Sequence, residues 1–500
     1  MASPLVLAVD QGTGSTKALL VDAGGRVVSR AAVPVAESRP GPGWVEQSAE
    51  ELWQSVRRAV AACVDPAQAD RVAGVGFSNQ RESLVLWERR TGEPAGPLIS
   101  WQDQRTAARC RELAATGAAE LVRSVSGMPL DPMFSALKAR WLLDTYDPDR
   151  RRSRAGELCL GTVDSWLLSR FGGEHVVEVG NASRTQLLDL ATRDWDQRLL
   201  DLFGVPREVL PRVVASSGPF PGVRDLAPLP DGVPVLAVMG DSHAAMFAHG
   251  GWRSGVVKAT YGTGSSVMAI GGPRYDPGPR HDPGHLPAGP GDVPGLCRSI
   301  AWDLGAGPAD AVEGNIRATG RTISWLAELF GVGADVLLAE AENAGPAGVH
   351  FVPAFGGLGA PWWDPDATPV VTGLTLGTRR AELVAAALEA VAFQVEDVVA
   401  AIDQAVGHVS VLMADGGLIR SARLMQLQAD VSGRAVARSA EHDLSALGVA
   451  DAAGLAAELW TLEQLEARHR PAETFQPDID EAERARRKAA WHAAVHRARK

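Results

Sequence analysis

Short apolar runs recur along this chain, and each ends in a cluster of glycine and small polar residues. Leu5 to Val9 runs into Asp10-Gln-Gly-Thr-Gly-Ser-Thr-Lys17, followed by Ala18 to Asp22, a turn at Asp22-Ala-Gly-Gly25 and a third run from Arg26 to Pro34. Runs of this length bounded by turn residues predict a strand–turn–strand hairpin and a neighbouring strand. Val72 to Phe77 predicts a buried strand delivering Ser78-Asn-Gln-Arg-Glu82, and Ile99 leads into Ser-Trp-Gln-Asp-Gln-Arg105. Cys159 to Asp164 and Gly180 to Thr185 read as two further strand–turn units. Val233 to Met239 predicts a strand that ends in Gly240-Asp241 and reopens as a small-residue helix through Phe247. Helical spacing covers Ser48 to Ala62, with Ser48 as N-cap and Glu50 and Glu51 in the first turn.

The second half restarts with the same grammar: a strand from Gly255 to Thr260, the turn Gly262-Thr263-Gly264, and a strand from Val267 to Gly271. The turns Gly12-Thr13-Gly14 and Gly262-Thr263-Gly264 therefore match in position as well as composition, a weak internal duplication. The boundary between the halves is expected near Phe247 to Ser254. Tyr275 to Gly295, rich in Pro, Gly and His, predicts a surface loop. Val349 to Phe355 predicts a buried strand, Ala381 to Ile402 a long alanine-rich helix, and Val409 to Ala414 a strand ending in Asp415-Gly-Gly417. Ser421 to Val431 predicts a helix, and Glu481 to Lys500 a basic, solvated closing helix.

At 500 residues the chain is long enough for two or more domains. Its net charge of -11 and scattered Lys and Arg argue against a nucleic-acid groove or an anionic membrane surface. Cys63, Cys110, Cys159 and Cys297 lie far apart without a CxxC pair, which predicts reduced thiols and a cytoplasmic protein. No signal-peptide pattern and no long apolar span point to a membrane.

The chemistry concentrates at mid-chain, where the lone carboxylate Asp241 precedes the turn Thr260-Tyr-Gly-Thr-Gly-Ser-Ser266. A carboxylate can serve as base for a hydroxyl, and a Thr/Gly/Ser turn can present backbone N–H groups to phosphate. The Gly12–Gly14 hairpin offers the same cradle without the helix that a Walker or Rossmann loop requires. Taken singly, each of these is equally an ordinary turn. Two similar α/β lobes, each offering a phosphate turn to a shared cleft, follow the logic of the actin-like ATPases.

In that order and spacing the chain resembles the FGGY family of carbohydrate kinases, and within it the glycerol kinase branch. The resemblance rests on Asp10-Gln-Gly-Thr, Pro42-Gly-Trp-Val-Glu-Gln47, Asn79-Gln-Arg-Glu82, Asn181-Ala-Ser-Arg-Thr185 and Tyr261-Gly-Thr-Gly264. Val352-Pro-Ala-Phe355, Gly357-Leu-Gly-Ala-Pro361 and Ala414-Asp-Gly-Gly417 complete it. It implies an α/β fold of two actin-like (ribonuclease H-like) domains, about 1–250 and 251–500, with an ATP cleft between them. The first would carry the polyol site and first phosphate turn, the second the nucleotide site. Carried over by position, Asp241 matches the catalytic base and Asp10 the acid that helps hold Mg²⁺. Thr13, Gly14 and Ser15 match the first phosphate turn, Lys17 stands where an Arg is usual, and Thr263 and Gly264 match the second turn. Gly320, Ser324, Gly417 and Ser421 fall where the adenosine end is held, the two serines replacing longer amides. Arg81 and Glu82 match the pair that hydrogen-bonds substrate hydroxyls, and Trp101 the aromatic wall behind its carbons.

Three departures bear on substrate. Met133 stands where glycerol kinases usually have Tyr, Ser242 where they have Gln, and Ser266 where they have Phe. Asp103 resembles an acid of the pentulose-kinase branch. The expectation is an ATP-dependent kinase of a small polyol or sugar, favouring four or five carbons, with glycerol kinase as the alternative. A non-catalytic or chaperone-type actin-like ATPase is the rival from another class. Neither nucleic acid nor membrane is expected as a partner, and a homodimer is left open.

Overall fold

The computed structural model describes residues 3–253, 255–271, 294–342, 344–468, 470 and 472–499. The expected loop over 275–295 lies almost wholly outside the described residues, as does Ser254. The first lobe is built on β1 (Leu5–Gln11), β2 (Ser15–Asp22), β3 (Val27–Pro34), β4 (Val72–Asn79) and β5 (Val235–Gly240), in the order β5-β4-β1-β2-β3. β1–β2–β3 is an antiparallel meander, whereas β4 and β5 run parallel to β1. The second lobe carries β6 (Val256–Tyr261), β7 (Ser265–Gly271), β8 (Cys297–Asp303), β9 (Pro308–Ile316), β10 (Val411–Asp415), β11 (Ala435–Ser439) and β12 (Ala472–Phe475). Their order is β8-β9-β7-β6-β10-β11-β12, with β6, β7 and β9 antiparallel and β10 and β11 parallel to β6. The duplication read from two glycine turns is thus a duplicated sheet: β1/β2/β3 with β4 and β5 corresponds to β6/β7/β9 with β10 and β11.

Every residue of β1 is buried, which a strand achieves only when both sheet faces are covered. Leu5, Leu7 and Val9 pack toward α1 (Ala49–Cys63), joining Leu52, Trp53 and Val56. Val6 and Ala8 pack with Ala446, Val449 and Ala453 of a helix from the second half of the chain. Gly240 marks the end of β5 and α2 (Asp241–Ala248) follows at once. In the second lobe α3 (Gly320–Phe330) and the long α4 (Arg380–Val406) cover the sheet, α4 with 17 buried residues. α5 (Ala422–Ser432) follows, and then α6 (Leu444–Ala456) leaves this lobe and lies between the two sheets, against α2, β1 and β4. Its fit there is close: a Cβ at Gly448 would sit 1.8 Å from the Ala244 carbonyl oxygen.

Two expectations change. Gly180 to Thr185 is no strand–turn unit; Val179–Ser183 is a single helical turn after a strand at Val176–Glu178. The Glu178 carboxylate accepts from Gly180 N–H (2.7 Å) and Asn181 N–H (2.8 Å), and this cap offsets the poor helix propensity of Gly, Asn and Ser. The closing helix α7 (Glu481–Ala498) is not merely solvated. Trp491 is buried and stacks on Phe393 of α4 at 5.5 Å, while Lys488 pairs with Glu396 (2.6 Å).

Ser48 caps α1 as expected, its Oγ accepting from Glu51 N–H at 3.2 Å. Ser48→Ala is expected to cost about 1 kcal/mol. In urea unfolding this should appear as a lower midpoint at unchanged slope.

Candidate active site

Asp241 is the first residue of α2, placed by the strand-to-helix turn at Gly240, where the helix dipole favours a negative charge. Ser242 N–H donates to its Oδ1 at 2.6 Å, and the Arg81 guanidinium lies 3.5 Å away. Its side chain is 34% exposed, against 5% for Arg81, so the carboxylate opens on the cleft while its partner is buried. The packed surroundings raise its pKa, Arg81 works against that shift, and Glu82 adds to it. A raised pKa makes a carboxylate a stronger base. Asp10, near the end of β1, is pushed up to about 6, first by burial and then by the charge of Asp241. Its Oδ1 accepts from Ser78 Oγ at 2.8 Å, and no described residue donates to its second oxygen. Among the described residues no group of three His, Cys, Asp or Glu side chains gathers as a ready metal cage. One or two carboxylates completed by phosphate oxygens is the donor set Mg²⁺ commonly takes, so Asp10 fits that ion.

The polar floor of the cleft centres on a residue that the sequence reading missed. Glu313, on β9 of the second lobe, is fully buried and forks onto Arg81, with Nη1 and Nη2 each donating at 2.7 Å. The same carboxylate accepts from Arg184 Nη1 (3.0 Å) and Ser266 Oγ (2.8 Å). Burial works to raise the Glu313 pKa, but the guanidiniums of Arg184 and Arg81 outweigh it and hold the group well below its usual range. Arg184 Nε also donates to Glu82 Oε1 at 2.6 Å. Glu82 has φ 62°, an uncommon left-handed conformation for a non-glycine residue, of the kind that clusters at functional sites. His243, one turn-residue beyond Ser242, is fully buried with Nε2 3.3 Å from Arg81 Nη1, and burial followed by that cation keeps it neutral. Asp241, Arg81, Glu82 and Ser266 therefore belong to one network. Met133 packs against Met128, Phe134 and Cys297. Trp101 is tied to the first glycine turn, its Nε1 donating to Thr13 Oγ1 at 3.0 Å.

Asp103 departs from expectation. It is fully buried, its Oδ2 accepts from Val45 N–H (2.6 Å) and Arg105 Nη2 (2.8 Å), and its Oδ1 from Arg105 N–H and Nε (2.9 Å each). An acid so occupied braces the loop after Ile99 and presents no oxygen to a substrate.

The two glycine turns are held by backbone hydrogen bonds. Gly12 N–H donates to Ser15 O (3.0 Å), Val35 N–H to Gly14 O (3.0 Å), and the Gln47 amide to Thr13 O (2.8 Å). In the second, Gly262 N–H donates to Gly264 O (3.0 Å), and the start of α3 is sewn to it through Gly320 N–H to Gly262 O (2.9 Å). Ser324 is exposed one helical turn beyond Gly320. Gly416 has φ 98° and a Cβ there would lie 2.6 Å from Tyr261 O, so only glycine lets the Gly416-Gly417 turn lie against β6. Ser421 caps α5, accepting from Leu424 N–H at 3.2 Å. Its hydroxyl thus has a structural duty. Lys17 pairs with Asp443 across the lobes (3.1 Å). Beneath the turns, buried His249 contacts Asp415 (2.9 Å); Lys258 and His249 together outweigh burial and hold Asp415 below its usual range.

Residues 5–248 match the N-terminal domain of the FGGY family of carbohydrate kinases, and residues 257–457 match its C-terminal domain. The chain is 39% identical to a glycerol kinase of Geobacter sp. (strain M21) over 98% of each protein. It is equally 39% identical to an apulose kinase of Pectobacterium atrosepticum, over 100% of this chain and 99% of that protein. Among solved structures it superposes on Plasmodium falciparum glycerol kinase with ADP with a TM-score of 0.88 at 26% identity, covering 99% of this chain and 98% of that one. A xylulose kinase from Rhodospirillum rubrum gives 0.81 at 26% identity over 99% of both chains. Among the described residues no single helix is long and apolar enough to cross a membrane. Two lobes with duplicated sheets, a glycine turn from each, and a carboxylate opening on the cleft between them are the architecture of a phosphotransferase acting on an alcohol. The chain belongs to the FGGY family of carbohydrate kinases, whose phosphate donor is ATP.

Proposed function

We propose that this kinase phosphorylates a primary hydroxyl of a polyol or ketose of four or five carbons. The observation carrying this reading is the Ser266 hydroxyl resting on Glu313, 2.8 Å away, with Met133 packed in the cluster of Cys297, the cross-strand partner of Glu313. A serine and a methionine are smaller than the Phe and Tyr usual at these positions in glycerol kinases, which suits a ligand longer than three carbons. The relatives named for glycerol and for apulose are equally similar, so identity does not choose between them.

In this reading Asp241 accepts the proton of the attacking hydroxyl, Arg81 and Glu82 fix neighbouring hydroxyls, and Trp101 backs the carbon chain. Arg81 is held rigid by Glu313 and Glu82 by Arg184, so neither loses much side-chain freedom when substrate arrives. Thr13, Gly14 and Ser15 meet the transferring phosphate from the 1–250 side, while Thr263 and Gly264 meet the phosphates from the 251–500 side. Gly320 and Gly417 flank the nucleoside end. Asp10 would hold Mg²⁺, which when bound neutralises charge on the phosphate oxygens. The transition state is loose, so alignment and charge neutralisation carry most of the rate.

A panel of glycerol, erythritol, pentitols, xylulose and ribulose tests this. A longer substrate is expected to give the highest kcat/KM. Glycerol leading the panel by an order of magnitude would return the enzyme to glycerol kinase. ATP turnover indifferent to every polyol would favour an ATPase clock instead.

A further inference from the structure

Glu313, Asn315 and Arg317 alternate along β9 and its continuation, so their side chains share one face. Asn315 is the cross-strand partner of Ser266. Its amide donates to Glu313 Oε1 (2.8 Å) and its carbonyl oxygen accepts from Arg184 Nη2 (3.3 Å). Arg317 reaches across to the first lobe, pairing with Asp131, and its other nitrogen donates to Gly356 O (2.5 Å). Asp131 in turn accepts from Met133 N–H at 2.9 Å, in a loop whose carbonyls at Pro132, Met133 and Phe134 converge on the buried Lys138 ammonium.

The base end of this row is fixed, because Glu313 grips Arg81 and Arg81 contacts Asp241. Strand geometry places Asn315 about 7 Å and Arg317 about 13 Å farther along. Unlike Glu313, both are only half-buried. The row therefore leads from the hydroxyl that reacts past Ser266 to Met133, the two positions where bulk is reduced.

We propose that Asn315 and the Arg317–Asp131 pair are specificity-determining residues that hydrogen-bond the distal hydroxyls of a four- or five-carbon polyol or ketose. This rests on the reading of substrate length given above. A guanidinium offers paired donors, a carboxylate accepts, and an amide does both, which suits vicinal hydroxyls. A three-carbon ligand ends before it reaches them and leaves the residues to one another.

The test is the substrate panel repeated on full-length Asn315→Ala, Arg317→Ala, Arg317→Lys and Asp131→Asn, with KM and kcat resolved and thermal midpoints recorded. For Asn315→Ala and Arg317→Ala the ratio of kcat/KM for the best longer substrate to that for glycerol should fall about 10- to 100-fold, chiefly through KM. Arg317→Lys should recover part of it. Equal losses on glycerol and the longer substrate, or an unmoved ratio in well-folded variants, would reduce these residues to an interlobe brace and overturn the inference alone. A wild-type panel led by glycerol would overturn the length reading, and this inference with it.

Discussion

Asp241→Asn is expected to lower kcat by about 10²- to 10⁴-fold while nucleotide binding survives. The amide keeps the shape at the start of α2 and can still accept the Ser242 N–H bond seen at 2.6 Å. What it lacks is the capacity to take a proton. The two glycine turns proposed to hold the phosphates lie on other elements, around Gly12–Gly14 and Gly262–Gly264, so ADP affinity measured by calorimetry should hold within a few fold. Near wild-type turnover would move the base elsewhere, with Asp10 the next carboxylate to substitute. The wild-type pH profile carries a linked expectation. The packed surroundings raise the Asp241 pKa more than Arg81 lowers it, so its ionised form is present above that raised value and lost as pH falls through it. The acid limb of kcat/KM should therefore lie above the ordinary aspartate range of about 4.

The second large effect is on stability. Glu313→Gln should destabilise the protein by roughly 3–5 kcal/mol, the usual cost of removing one partner from a buried charge cluster. The carboxylate is fully buried and answers two guanidiniums from the other lobe, at 2.7 and 3.0 Å. Glutamine offers one acceptor oxygen and turns N–H groups toward N–H groups. Arg81 would then be drawn onto Asp241, already 3.5 Å away, lowering the proton affinity of the base. Scanning calorimetry checks the stability and the acid limb checks the base, which should move to lower pH. A loss below about 1 kcal/mol would mean that Glu82 and Asp241 suffice as counter-charges.

What the sequence disclosed and what it hid divide along physical lines. The hairpins, their glycine turns and the Asp241 carboxylate at a strand-to-helix turn are local features, carried by apolar runs and punctuating residues, and they emerge where the pattern places them. Ser48 works as a cap because capping involves only the next turn. Glu313 stayed hidden because its partners are 232 and 129 residues away, and a glutamate in Ala-Val-Glu-Gly-Asn looks like any solvated strand position. Asp103 misled for the converse reason. An acid after a strand has the same local signature whether it faces a ligand or, as here, spends both oxygens on Val45 and Arg105. The helical turn at Val179–Ser183 has no signature in its own residues, which are poor helix formers, because the Glu178 carboxylate that caps it precedes the segment whose pattern predicts a strand–turn.

The placement of α6 has a bearing on how such a chain can be recombined. A helix encoded after residue 443 completes the core of a sheet encoded before residue 241, with Val6 and Ala8 against Val449 and Ala453. Gly448 admits the Ala244 carbonyl so closely that no side chain fits between them. A chimera joined near residue 250 from two parents would seat one parent's helix on the other's strands, and the mismatch would fall in the layer that joins the lobes. A fragment ending there would leave that apolar face bare and prone to association. The workable units of exchange are therefore the first 250 residues together with 444–456, two pieces distant in the gene that must be inherited as one.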